Sequence, residues 1–140
     1  MRVVAWVDGG ARGNPGPAGY GVLLQGADGS ELCRAWRFLG ATTNNVAEYN
    51  ALIAALEEAR QLGAAEIEVR TDSELIQRQV TGVYKVRQPH LKPLLDRVRV
   101  LAAHFRSFAI VHVPRERNRE ADALANRAMD ERGSGREPAS

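Results

Sequence analysis

Residues 3–21 read VVAWVDGGARGNPGPAGYG, and this stretch decides the fold that the sequence predicts. Val3 to Val7 is a short apolar run rich in β-branched residues, which indicates a buried strand ending at Asp8. Gly9 to Gly19 is dense in Gly, Asn and Pro, a composition typical of a tight irregular loop. A second strand is predicted from Tyr20 to Gln25. The stretch therefore places an acidic side chain where a buried strand meets a glycine-rich loop.

The rest of the chain predicts alternating strands and helices. Changes of hydrophobic period, together with turn and cap signals, give a third strand at Glu31 to Leu39, a helix from Thr42 to Leu62, a fourth strand at Ile67 to Thr71, a helix from Glu74 to about Val80, an amphipathic helix spanning Leu91 to Phe105, a fifth strand at Phe108 to Val113 and a last helix from about Arg119 to Met129. With strands one and four parallel, the order βββαβααβα predicts an α/β fold with a five-stranded mixed sheet flanked by helices. We expect one domain over residues 1–130 and a polar, disordered tail over residues 131–140.

Length and composition limit the classes of protein to which the chain can belong. A chain of 140 residues with 44% hydrophobic content suits one domain with one core. The apolar runs are too short for a membrane span, and the N-terminus lacks a secretory signal, so we expect a cytoplasmic protein. Cys33 is the single cysteine, which excludes an internal disulfide framework and a cysteine-based zinc cluster. A net charge of +2 permits binding to nucleic acid without arguing strongly for it.

Four acidic residues stand at positions where a site could form. Asp8 and Asp72 each follow a predicted strand, while Glu48 and Asp122 fall early in predicted helices. In open α/β sheets, sites form at the ends of neighbouring parallel strands. Each acid alone also fits an ordinary role, since Asp72 could cap a helix and Glu48 could complement a helix dipole. Spacing alone leaves a shared site and four separate surface charges both open.

Four segments that carry these acids resemble, in order, the pattern of type 1 ribonuclease H. They are VDGGARGNPGPAGYG at residues 7–21, TTNNVAEYNALIAAL at residues 42–56, VRTDSELI at residues 69–76 and NREADALAN at residues 118–126. The resemblance covers nearly the whole chain up to about residue 130. It implies a ribonuclease H-like fold and an endonuclease that hydrolyses the RNA strand of RNA–DNA hybrids, leaving 5′-phosphate and 3′-hydroxyl ends. It also favours a monomer.

The resemblance implies that Asp8, Glu48, Asp72 and Asp122 bind two Mg²⁺ or Mn²⁺ ions. The chemistry agrees, because clustered carboxylates repel one another unless cations neutralise them, and oxygen ligands suit these hard ions. Two such ions clamp a scissile phosphate, one activating water and the other stabilising the leaving oxygen. By the resemblance, Asp8 bridges both ions and Asp122 completes the water side. Glu48 and Asp72 then hold the leaving-group side.

The resemblance also assigns contacts with the hybrid, whose 2′-hydroxyls distinguish the RNA strand from the DNA strand. The substrate-binding candidates from two segments are Gly9, Gly10, Ala11, Arg12, Gly13, Asn14, Thr43, Asn44 and Asn45. The alternatives are structural. The glycine-rich segment has the composition of a plain turn, and Thr43 or Asn44 could simply cap the helix that follows.

Two departures from the better-known bacterial members bear on the substrate. A basic, tryptophan-bearing handle is reduced to residues 82–89, where Lys85 and Arg87 remain as substrate-binding candidates. The loop before Asp122 lacks the family's mobile histidine, and Arg115 is our candidate for a catalytic cation there, with a solvated loop arginine as the alternative. Both features resemble a compact archaeal and actinobacterial subgroup, whose members can also act on double-stranded RNA. That substrate therefore stays open.

Two other classes of function remain as alternatives. The chain could be a hybrid- or duplex-binding module with weak catalysis, although a degenerate member would normally have lost one of the acids. It could also be one domain of a larger fused enzyme, with the polar tail as a linker.

Overall fold

The computed structural model describes residues 1–139. Its elements, in chain order, are β1 Arg2–Ala11, β2 Gly16–Gly26, β3 Glu31–Thr42, α1 Asn44–Gln61, β4 Glu66–Thr71, α2 Glu74–Val80, α3 Lys92–Ala102, β5 Ser107–His112, a 3₁₀ turn Arg115–Arg117, α4 Arg119–Glu131 and β6 Gly135–Pro138. The predicted order of strands and helices is confirmed up to α4.

The strands form one mixed sheet in the order β5-β4-β1-β2-β3-β6. β1 runs parallel to β4 and β4 parallel to β5, while β1, β2, β3 and β6 pair antiparallel in succession. The predicted parallel pairing of the first and fourth strands is therefore confirmed. β1 lies at the centre of the sheet, so its end adjoins both a parallel and an antiparallel neighbour.

The number of strands was predicted wrongly, and part of the segment predicted as a tail is a strand. The sheet has six strands, because Gly135–Pro138 pairs with residues 33–36 of β3. Arg136 also bonds both carboxylate oxygens of Glu58, with the shorter Nε–Oε2 distance at 2.9 Å. The ordered unit thus extends past residue 130. A polar segment that composition alone marks as disordered becomes a strand here because the edge of β3 offers unpaired backbone groups.

The predicted loop at Gly9 to Gly19 is shorter in the structure. The β1–β2 ladder continues through Asp8↔Gly21, Gly9↔Tyr20 and Ala11↔Ala18, so the first glycines belong to strands. Two positions in this part of the ladder require glycine, because a side chain there would collide with a covering helix. A Cβ on Gly9 would meet the backbone of Ala47 in α1, and one on Gly21 would meet the backbone of Ala121 in α4.

Helices cover the two faces of the sheet, and the main core lies on the α1 side. Successive residues of a strand point to opposite faces of the sheet, whereas paired residues on neighbouring strands point to the same face. Gly21 pairs with Asp8 and therefore faces the side opposite to Gly9. Because Gly9 contacts α1 and Gly21 contacts α4, the two helices lie on opposite faces. The largest fully buried side chains include Tyr49, Leu52 and Leu56 of α1. Within residues 1–139, no helix has the length and apolar character needed to cross a membrane.

Candidate active site

Two carboxylates lie side by side where the parallel ladder between β1 and β4 ends. The parallel ladder between these strands stops at the pair Val7↔Thr71, so Asp8 and Asp72 are the next residues on neighbouring strands. Beyond that pair the two strands are no longer bridged by the ladder, and the crevice between them is where α/β sheets place ligands. The expected shared position of Asp8 and Asp72 follows from this register.

Glu48 reaches the same place from α1. The helix begins after Thr43, whose hydroxyl accepts a hydrogen bond from Val46 N at 3.3 Å. The absence of a side chain at Gly9 lets the first turns of α1 approach β1 directly, and Gly9 N donates to Glu48 Oε1 at 3.3 Å. The other oxygen, Glu48 Oε2, is buried and has no hydrogen-bond partner among residues 1–139. One oxygen of Glu48 is therefore fixed and the other left free.

Asp122 comes from the opposite face of the sheet, in the first turn of α4. α4 crosses β2 closely because Gly21 has no side chain. Asp122 is exposed and lies within hydrogen-bond reach of Asp8. Asp8 is the residue that pairs with Gly21 in the β1–β2 ladder. The four acids thus converge from four elements, two on the sheet and two on helices that lie on opposite faces.

The crowding of these groups favours protonation of the buried members. The pKa of Asp8 is raised to about 8, mainly by burial, then by the charge of Asp72 and by the hydrogen bond and charge of Asp122, while Arg115 opposes the shift. Burial also raises the pKa of Glu48 well above its ordinary value, followed by the charges of Asp8 and Asp72. A cation at this position would relieve both the desolvation and the repulsion.

The residues present suit a divalent metal ion. Carboxylate oxygens of Asp8, Glu48 and Asp72 all lie within 4.8 Å of one another. The unpartnered, buried Glu48 Oε2 is an acceptor for which the protein itself supplies no donor. A cluster of oxygen ligands without His or Cys matches hard cations of the Mg²⁺ and Mn²⁺ class.

The carboxylates open into a cavity of about 370 Å³. Its lining includes all five predicted catalytic residues and four of the predicted substrate contacts, which are Asp8, Glu48, Asp72, Asp122 and Arg115, together with Gly9, Gly10, Asn44 and Asn45. The cavity is open to solvent on one side and polar in most of its lining, so it can admit a charged chain such as a nucleic-acid backbone.

Comparison with known proteins assigns the chain to a family. A family model described as reverse transcriptase-like matches residues 6–128. A ribonuclease HI of Halobacterium salinarum is 47% identical over 130 residues, which cover 93% of this chain and 65% of that protein. The chain belongs to the ribonuclease H family. A bifunctional protein of Mycobacterium tuberculosis is 50% identical over 131 residues, which cover 93% of this chain and 36% of that protein.

The solved structures extend this result. LC11 ribonuclease H1, isolated from compost by a metagenomic approach, has been solved in complex with an RNA/DNA hybrid. That structure has a TM-score of 0.89 and 46% identity, over 93% of this chain and 98% of that chain. The expected ribonuclease H-like fold is thereby confirmed. The chain spans less than two thirds of the length of both curated relatives named above.

In this ribonuclease H family member, the glycine-rich turn is bonded to the start of α1. Ala11 N donates to Asn44 Oδ1 at 2.7 Å, and Asn44 N donates to Asn14 Oδ1 at 3.1 Å. Arg12 donates to Asn126 Oδ1 at 3.2 Å and also pairs with Asp130. Capping by Thr43 is confirmed, while the contacts of these residues with nucleic acid stay a prediction.

Lys85 and Arg87 are not brought to the carboxylate cavity. Lys85 lines a separate groove of about 490 Å³ that also contains Tyr84, Lys92 and Arg99. Arg87 is exposed on the same connection between α2 and α3. If these cations bind the duplex, they do so at a distance from the carboxylates along its backbone.

Sequence reasoning missed several residues at the carboxylate cavity. Ser73, Asn126 and Met129 line the cavity, and Asn118 bonds Asp72 from behind it. The spacing of Asn126, four residues after Asp122 on one helix, was a usable signal because such residues share a helix face. For Asn118 the sequence offered no signal beyond its place at the start of the segment at residues 118–126.

Proposed function

We propose that this chain is a divalent-metal-dependent endonuclease that hydrolyses the RNA strand of RNA–DNA hybrids and leaves 5′-phosphate and 3′-hydroxyl ends. The observation that carries the proposal is the convergence of four carboxylates from four elements in one open cavity. The similarity to LC11 ribonuclease H1, solved with an RNA/DNA hybrid, supports this substrate class.

Asp8, Glu48, Asp72 and Asp122 would hold two Mg²⁺ or Mn²⁺ ions. When bound, such ions make water a stronger nucleophile and stabilise the charge that develops on the leaving oxygen. The protein contributes by fixing the ligands beforehand. The Gly9 N–H holds one oxygen of Glu48, and the β1–β4 ladder sets the separation of Asp8 and Asp72. Preorganised charge of this kind requires no rearrangement during the reaction.

Arg115 is proposed to act on the phosphate, where other family members use a histidine. It lines the carboxylate cavity, and its positive charge lowers the pKa of Asp8 against the other influences on that group. The 3₁₀ turn that begins at Arg115 leaves the side chain exposed, so the guanidinium is available to donate to two oxygens of a phosphate.

The substrate would lie across the glycine-rich turn and the start of α1. Asn14 accepts from Asn44 N through its Oδ1, which leaves its amide N–H groups to bind the duplex. Gly10, Asn44 and Asn45 line the cavity next to the carboxylates, where the RNA 2′-hydroxyls would have to be recognised. Lys85 and Arg87 would hold phosphates farther along.

The deciding experiment compares RNA–DNA, RNA–RNA and DNA–DNA duplexes of one sequence, each labelled on one strand, in Mg²⁺ and then in Mn²⁺. We expect cleavage of RNA in the hybrid, and none by Asp8→Asn. The RNA–RNA duplex tests how strictly the enzyme selects hybrids. Tight hybrid binding without cleavage in either metal would instead support the binding-module alternative.

A further inference from the structure

Asn118 joins three parts of the carboxylate cluster without lining its cavity. The residue is 1% exposed, and its Nδ2 donates to the Val7 carbonyl at 2.8 Å. The same nitrogen lies 3.5 Å from Asp72 Oδ2. Its backbone carbonyl accepts from Asp122 N at 3.1 Å. One buried side chain and its peptide group therefore contact Asp72, the residue before Asp8, and Asp122.

Helix capping does not explain this orientation. Asn118 directly precedes α4, where an asparagine side chain ordinarily accepts a hydrogen bond from the first turn of the helix. Here the side chain makes no cap bond. Its Oδ1 is buried without a partner within residues 1–139. The side chain instead directs its donor group to Val7 and Asp72, so the bonds to those two residues account for its position.

The bonds of Asn118 lie at the end of the sheet where the carboxylates meet. The β1–β4 ladder ends at Val7 and Thr71, and the Asn118 amide bonds the Val7 carbonyl at that end. We propose that Asn118 is a positioning residue that fixes Asp8, Asp72 and Asp122 relative to one another and thereby sets the affinity of the site for divalent cations. The inference rests on the metal role proposed above. Residues that orient metal ligands commonly change metal affinity or activity roughly 10- to 100-fold when they are replaced.

The test uses Asn118→Ala and Asn118→Ser in the whole chain. Serine is itself a strong helix N-cap, so this variant keeps the start of α4 while losing the reach to Val7 and Asp72. Mg²⁺ affinity is measured from the rise in Tm with Mg²⁺ concentration, without substrate, and from the Mg²⁺ concentration that gives half-maximal cleavage. We expect both to show roughly 10- to 100-fold weaker binding. We expect kcat at saturating Mg²⁺ to recover most of its wild-type value.

Asn50→Ala is the matched control. Asn50 Nδ2 donates to the Val46 carbonyl at 2.8 Å, the same distance as the bond from Asn118 to Val7, and Asn50 does not line the carboxylate cavity. This change should lower Tm and leave Mg²⁺ affinity unaltered.

The outcomes separate this inference from the proposed function. If Asn118→Ser lowers Tm but binds Mg²⁺ as tightly as wild type, the residue is merely structural and the inference is overturned, while the nuclease assignment stands. If kcat stays low at saturating Mg²⁺ with unchanged affinity, the inference is also overturned. A wild-type protein that Mg²⁺ neither stabilises nor activates would overturn the proposed function and the inference with it.

Discussion

Replacing Asp8 by asparagine should abolish cleavage and, without metal, stabilise the fold. The pKa of Asp8 rises from its ordinary value of 3.8 to about 8 in the folded protein. Between these values the folded state binds more protons than the unfolded state, so the free energy of unfolding falls as pH rises. Asparagine has nearly the same shape and carries no charge at any pH. The variant therefore escapes this loss.

The size of the effect follows from the same interval. Between pH 3.8 and pH 7 the free energy of unfolding of wild type falls by about 1.4 kcal/mol per pH unit, or about 4 kcal/mol in total. The side chain is only 8% exposed, so solvent screens little of this cost. The asparagine carbonyl still faces Asp72 and Asp122, which retains part of the repulsion. We therefore expect a gain of about 2–4 kcal/mol at pH 7, and almost none near pH 4.

Mg²⁺ should stabilise wild type much more than Asp8→Asn. A cation bound only by the folded state adds about 2.7 kcal/mol when its free concentration is a hundredfold above Kd. Wild type should show this increment and Asp8→Asn much less of it, so the advantage of the variant shrinks or reverses. The measurement is urea unfolding followed by circular dichroism, at about pH 4 and at pH 7, with a chelator and then with Mg²⁺.

Asp96→Asn is the control for the loss of a negative charge, because Asp96 is exposed on α3. Surface changes of this kind stay within about 0.5 kcal/mol. If Asp8→Asn with chelator at pH 7 is no more stable than wild type, the ionised Asp8 carboxylate does not destabilise the folded protein, and the raised pKa of Asp8 is contradicted. An equal Mg²⁺ response of wild type and variant would show that Asp8 is no ligand.

Gly21→Ala should destabilise the protein by about 1–3 kcal/mol and reduce cleavage, since the methyl group forces α4 and Asp122 off the sheet. Gly133→Ala, whose methyl would meet nothing closer than 3.6 Å, should do neither in the same unfolding and cleavage assays. Arg115→Ala should lower kcat roughly 10- to 100-fold, with partial recovery in Arg115→Lys. Equal rates for Arg115→Ala and Arg117→Ala would argue against a phosphate contact. Arg136→Ala should cost about 0.5–1 kcal/mol in urea unfolding through loss of the ion pair that holds β6, while kcat stays unchanged.

The sequence pointed to the four acids that line the cavity because each lies in a recognisable segment. Asp8 ends an apolar run, and Asp72 follows another, so the predicted parallel pairing of those strands indicated that the two could lie together, as they do in the structure. Glu48 and Asp122 required the family resemblance, since an acid early in a helix has ordinary uses elsewhere. All four then line one cavity in the structure.

The parts that could not be predicted depend on contacts between distant elements. Gly9 and Gly21 were taken as loop and strand residues, yet each lies where a helix backbone touches the sheet. The sequence shows that a residue is glycine, but it does not show which helix backbone packs against it. The sixth strand was missed for a similar reason, because Gly135–Pro138 is ordered by β3 and by Glu58, which are far away in sequence.

These close contacts explain how mutually repelling groups stay together. A helix that carried Glu48 or Asp122 could relieve the repulsion by moving outward, but backbone packing at Gly9 and Gly21 and the bonds of Asn118 favour the close position. Burial and, after it, the repulsion raise the pKa values of Asp8 and Glu48, and the helices stay in place. At the proposed metal site, protons and divalent cations would consequently compete for the same oxygen atoms, because the ligands must be deprotonated to bind metal. The rigidity that makes the metal-free cluster unfavourable is the property that would favour a small, doubly charged ion at the proposed metal site.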